Sequence, residues 1–198
     1  SAILQQVGGQ QTQTKSKDEQ ERARIAADIQ NIYNETKTSV EGKLNGLDAK
    51  VNQAFDEGAA AAKKTFEDYV EARMNAYKQR RYGGWFGWAR WARDKIRGMP
   101  AAVNAFYSEG RKRYLREMDA VINRVVAIIG KTITESKAEI ARGKQRIKEY
   151  VAKLPANLRK VGNQAAEQIQ SQFESLEQSV DSKQDDLINS PASKNQEN

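Results

Sequence analysis

Apolar side chains recur every eleven residues along most of this chain. In the first long segment the row is Tyr33, Leu44, Phe55, Phe66 and Tyr77, with a companion row of Ile29, Val40, Val51 and Ala62. After Pro100 the interval returns twice, as Tyr107, Met118, Ile129, Ile140 and Val151, and as Val103, Tyr114, Val125, Ser136 and Ile147. The last segment carries it in Leu158, Ile169 and Val180 and in Ala165, Leu176 and Leu187. Eleven residues in three turns is about 3.67 per turn, slightly above the ~3.6 of a free α-helix, so helices with this pattern pack almost straight or with a slight right-handed supercoil. Alternation of β-branched and polar residues is absent, which leaves strands nothing to grow from.

Breakers divide the pattern. Gly83-Gly84 ends the first helical stretch, Gly98-Met99-Pro100 opens another, and Leu154-Pro155 opens the last, since proline is tolerated at the first position of a helix but not in its interior. The spacing predicts helices over 17–82, 85–97, 100–153 and 155–188, forming a single helical module over 17–188. A lead at 1–16 and a tail at 189–198, both polar and without periodicity, are expected to be disordered or dependent on context. Helices this long persist in water only by lying against one another. The expected fold class is therefore all-α, an elongated antiparallel helical hairpin or three-helix bundle with eleven-residue (hendecad) packing and a Trp/Arg-rich turn. Glycines at 42, 46, 58, 110, 130 and 143 mark close helix approaches or bends, with a break near Gly42 and Gly46 as the alternative to a continuous first helix.

Composition narrows the chemistry. Only 38% of the 198 residues are hydrophobic and mean hydropathy is −0.83, values that suit a thin core. There is no His and no Cys, so zinc fingers, thiolate or triad chemistry, haem ligation and imidazole bases drop out, and neither an enzyme nor a cofactor or metal is expected. Carboxylates at helical or adjacent spacing (Glu135 and Glu139, Asp181 and Asp185, Asp56 and Glu57) read as solvated faces. No signal peptide and no apolar run near the ~20 residues of a membrane span is visible, so a soluble chain cut from something longer is expected.

Charge singles out one region. Residues 78–116 hold eleven basic and two acidic side chains, a net of +9 against +7 for the whole chain, which leaves −2 for everything else. All three tryptophans lie there too: Trp85, Trp88 and Trp91 recur every three residues and share a helix face, with Phe86 beside them and Arg90, Arg93 and Arg97 on or near the flanks. Two readings stand. The aromatics cap the end of a core with arginines laid over the rings, or they sit at an anionic membrane surface, where Trp favours the headgroup boundary and Arg attracts lipid phosphate. Nucleic acid is a weaker third partner, as stacking aromatics and cations occur without a recognisable motif. Arg111, Lys112 and Arg113 form a further candidate patch for a membrane or a partner, against a solvated helix face. The apolar run Val121 to Ile129 reads as core or as a contact for another subunit, so an oligomer stays open.

Particular words along the helices carry a family likeness. Gly98-Met99-Pro100 through Asn104-Ala105-Phe106-Tyr107 and Glu109-Gly110-Arg111, then Met118-Asp119-Ala120-Val121-Ile122, then Tyr150-Val151 to Leu154-Pro155-Ala156-Asn157-Leu158 and Val161-Gly162, and finally Phe173-Glu174-Ser175-Leu176-Glu177 and Asp181-Ser182-Lys183-Gln184-Asp185 follow in order. Over about residues 30–188 the chain resembles the long helical region of large bacterial multidomain proteins, cargo-like or toxin-like, associated with extracellular contractile injection systems. Members of that group often carry a zinc-peptidase-like domain elsewhere; with no His here, no zinc-site residue carries over. The resemblance implies a non-catalytic spacer or interaction module. Its expected partners are other domains of the same protein or components of the injection particle, with a cytoplasmic origin in the producing bacterium and export inside such a particle.

Overall fold

A computed structural model of the chain describes the backbone of residues 2–82 and 101–197 and the side chains of 16–80, 101 and 103–189. Its elements are α1 (Ala2–Tyr82), α2 (Ala101–Ala152), a 3-10 turn (Ala156–Leu158) and α3 (Arg159–Glu197). The protein is all-α, and no strand occurs among the described residues. The predicted helix over 85–97 lies outside them.

Helix bounds differ from the sequence expectation at both ends. The backbone is helical from Ala2 rather than from residue 17 and continues to Glu197 rather than ending near 188. Ala, Leu and Gln are good helix formers, and extending a helix already nucleated adds one hydrogen bond per residue fixed without a new nucleation cost, although Pro191, inside α3, has no N–H to contribute. α1 also passes Gly42 and Gly46 without a break. Both are exposed, with nothing within 4 Å of a hypothetical Cβ, while Val40, Leu44 and Leu47 are buried on the other side of the helix. Burial of roughly 1.5–3 kcal/mol for each such side chain outweighs about 1 kcal/mol lost per interior glycine.

Two compact units make up the structure. The first comprises residues 1–48 and 129–190. Its core takes Ile25, Ile29, Tyr33, Val40, Leu44 and Leu47 from α1, Ile129, Ile133, Ile140, Ile147 and Val151 from α2, and Ile169, Phe173, Leu176, Val180 and Leu187 from α3. Tyr33 and Phe173 meet edge to face with centroids 5.0 Å apart, a favoured geometry worth roughly 0.5–1.5 kcal/mol beyond area burial. Polar pairs fix the directions. Residues climb on α1 as they fall on α2, through Asp28 with Tyr150, Glu35 with Arg146 and Lys43 with Glu135. Lys137 with Asp181 and Lys144 with Glu177 set α2 against α3 in the same opposed sense.

The reversal between α2 and α3 is short. Pro155 is extended (φ −53°, ψ 147°), the Leu158 N–H donates to its carbonyl at 2.8 Å, and Arg159 Nε donates to the Leu154 carbonyl at 3.2 Å. Three polar side chains interrupt the core of this unit. Thr36, Thr132 and Ser136 are all buried; Thr36 Oγ1 donates to the Ile32 carbonyl at 2.9 Å, while the Ser136 hydroxyl meets no partner among the described residues.

The second unit comprises residues 49–128 and 191–198. Val51, Phe55, Ala62 and Val70 of α1 and Val103, Met118, Val121 and Val125 of α2 are buried in it. Two glycines allow the backbones to close: a Cβ on Gly58 would stand 2.5 Å from Val121 Cγ2, and one on Gly110 3.0 Å from both Phe66 and Val70. Aromatic rings continue the seam, with Phe66 6.4 Å from Tyr114 and 6.5 Å from Tyr107, and Tyr77 5.9 Å from Phe106. Ring contact does not bury Tyr107, which remains 49% exposed although the eleven-residue spacing assigns it to a core row.

Candidate interaction surface

The candidate contact residues divide by position. Trp85, Phe86, Trp88, Arg90, Trp91, Arg93 and Arg97 lie outside the described residues. Arg111, Lys112 and Arg113 are exposed on one turn of α2 in the second unit. Local sequence explains the arrangement: Gly110 faces α1, where a side chain would collide, so Arg111 and Lys112, about 100° and about 200° round the helix, point away from α1, while Arg113, at about 300°, returns to its edge and reaches Tyr69.

The three cations are not equivalent. The Arg113 guanidinium carbon lies 4.3 Å from the centroid of the Tyr69 ring and its Nε 3.6 Å from Glu109 Oε1. Arg73 approaches the same ring at 5.3 Å, and Arg116 reaches Glu109 at 3.9 Å. Each exposed cation–π contact is worth roughly 0.5–1 kcal/mol. Arg113 is thereby held by its own unit. Arg111 and Lys112 make no ion pair among the described residues and present their charge outward.

Apolar surface adjoins these charges. Leu115 is 51% exposed, and with Arg111 it follows Tyr107 at steps of four residues, so the three run along one side of α2. Sequence reasoning missed this strip. Its signal was a tyrosine closing a row otherwise made of aliphatic residues in α2, and a leucine in a row whose other members are Asn104, Val126, Lys137 and Lys148. The pairing of Arg73 with Tyr69 was legible from their four-residue spacing.

Several other described charges are paired. Of the carboxylates at helical spacing, Glu135 faces Lys43, Glu139 accepts from Arg142 at 2.6 Å, and Asp181 meets Lys137 at 3.1 Å. In the first unit the Tyr150 hydroxyl donates to Asp28 Oδ2 at 2.6 Å; burial, then this hydrogen bond and the nearby negative charge, push its pKa up to about 12. Tyr33, donating to the Gln172 carbonyl at 3.2 Å, is raised as well, first by burial and then by Glu41. Both hydroxyls are committed to hydrogen bonds between helices. Among the described residues there is no group of three or more acidic, His or Cys side chains that could hold a metal, and no helix long and apolar enough to cross a membrane. Compared with family models, with curated proteins and with solved structures, the chain matches none.

Proposed function

We propose that this chain is a non-catalytic helical spacer and interaction module of a larger bacterial protein of the cargo-like or toxin-like kind associated with contractile injection systems. In this reading the helices form an elongated antiparallel bundle on an eleven-residue repeat that turns at the Trp/Arg-rich segment, setting distance and offering the basic end as a contact. The observation that carries the spacer role is burial itself. Ile29, Val40, Val51 and Ala62 in α1, Met118, Ile129, Ile140 and Val151 in α2, and Ile169 and Val180 in α3 are each 7% exposed or less, and each follows its predecessor by eleven residues. Such regular burial suits a rod whose cross-section repeats. The link to injection systems rests on the sequence resemblance alone.

Small-angle X-ray scattering tests the spacer role. A rod gives a radius of gyration well above the ~16 Å of a compact 198-residue domain. A value near that figure overturns the reading.

A further inference from the structure

One side of α2 carries an apolar residue four before a cation in both units, but only in the first unit is the apolar residue buried and the cation paired. In the first unit Lys144 of α2 bonds Glu177 of α3, and Ile140 beside it is 2% exposed. Arg111 occupies the position three eleven-residue steps before Lys144, and Tyr107 the position three steps before Ile140. In the second unit these equivalents differ: Tyr107 is 49% exposed, Arg111 has no ion-pair partner among the described residues, and Leu115, one turn on, is 51% exposed. The pattern of an apolar residue four before a cation is thus repeated, and the contacts described for this turn of the second unit, Tyr107 on Phe66 and Arg113 on Tyr69, are with α1.

The ion pair of Lys144 with Glu177 in the first unit indicates what fits Arg111 in the second. Over residues 159–189, α3 has six acidic and three basic side chains, and two of its carboxylates, Glu177 and Asp181, meet lysines of α2. We infer that the side of α2 bearing Tyr107, Arg111 and Leu115 is the docking site of a separate acidic amphipathic helix, whose apolar stripe covers Tyr107 and Leu115 while a carboxylate meets Arg111 as Glu177 meets Lys144. The inference rests on the interaction-module reading above and names the partner's chemistry. Two copies of the chain meeting through this face would set Arg111 and Lys112 against their own equivalents, an arrangement that like-charge repulsion opposes. A helix laid in an apolar groove with one complementary charge per few turns is a common recognition mode.

The chain has no cysteine, so Leu115→Cys supplies a single thiol at the centre of the proposed site. Its rate of alkylation by N-ethylmaleimide is measured on the full chain with and without a synthetic peptide of residues 159–189, the acidic amphipathic helix at hand. Only unbound chain reacts, so peptide at about ten times its dissociation constant slows the reaction about tenfold. The slowing disappears when Arg111→Glu is added and when the peptide carries E174K and E177K. A thiol from Lys64→Cys, exposed on α1, keeps its rate throughout, and circular dichroism checks that each variant stays helical. Four outcomes overturn the inference: no slowing by peptide, protection without peptide that grows with protein concentration (a second copy), protection without peptide at every concentration (the chain's own residues), or protection by anionic phosphatidylserine vesicles but not by peptide (a membrane surface). Scattering extrapolated to zero concentration reports the monomer whatever the docking result, so failure of the docking site and failure of the spacer reading are read separately.

Discussion

Gly143 of α2 lies against Thr36 of α1 so closely that a Cβ on the glycine would stand 2.3 Å from Thr36 Oγ1 and 3.0 Å from its Cγ2. Thr36 has little room to yield. It is β-branched, restricted in a helix to a few rotamers, and its hydroxyl is tied to the Ile32 carbonyl at 2.9 Å.

Gly143→Ala is therefore expected to destabilise the protein by about 1–3 kcal/mol, the typical cost of overpacking, despite the ~1 kcal/mol that alanine gains over glycine in a helix. Gly130→Ala, where a Cβ meets nothing within 4 Å, keeps only the gain and stabilises by about 0.5–1 kcal/mol. Adding Thr36→Ala to Gly143→Ala removes the two nearest crowding atoms, Oγ1 and Cγ2, leaving only Cβ at 3.1 Å, and restores much of the loss. Urea denaturation of the four proteins decides: equal effects of the two glycine substitutions would refute the close approach.

The Tyr150 phenol gives stability a pH dependence. Its proton is held more tightly in the folded protein, with a pKa of about 12 against 10.0 for the free side chain, so its contribution is complete below pH 10 and is lost as pH rises from 10 towards 12. Tyr150→Phe is expected to cost about 1 kcal/mol at neutral pH, the net worth of a hydrogen bond, and to flatten stability between pH 10 and 12. Denaturation midpoints across that range, with phenolate absorbance to follow the titration, check it. A variant as pH-sensitive as the parent would exclude Tyr150 as the source.

Ser136 stands one eleven-residue step from Val125 and from Ile147, fully buried, with no hydrogen-bond partner for its hydroxyl among the described residues. Ser136→Ala removes a desolvated polar group and substitutes a better helix former, so a gain of about 1 kcal/mol is expected in thermal or chemical unfolding. A loss instead would mean the hydroxyl is bonded in solution.

Phe173 is 2% exposed and packs edge to face on Tyr33. Phe173→Ala is expected to cost about 3–5 kcal/mol. Hydrogen exchange should then accelerate along the described part of α3; exchange that rises equally in all three helices would show that α3 does not open separately from the rest.

Much of the fold was legible because burial in a helix follows period. Val40, Ile129 and Val180 announce their faces through repeated spacing, and Pro155 announces the reversal by its fixed φ. Other features were not, because spacing tells which side of a helix is apolar and not what lies over it. Tyr107 keeps step with Met118 and Ile129 yet is half exposed, while they are 4% and 1% exposed. Gly143 and Gly130 look alike in sequence, and only the atom opposite each distinguishes a close approach from open space. The backbone is helical from Ala2 and to Glu197, beyond the bounds expected from periodicity, because loss of an apolar repeat does not by itself stop a helix already under way.

The short reversal at Pro155 bears on the order in which contacts form. Lys144 and Glu177 are separated by 33 residues along the chain, whereas Tyr150 and Asp28 are separated by 122. Closing the longer loop costs about 1 kcal/mol more in chain entropy, and contacts near in sequence form faster than distant ones. The corner made by α2 and α3 is thus expected to form first in the first unit, with α1 docking afterwards.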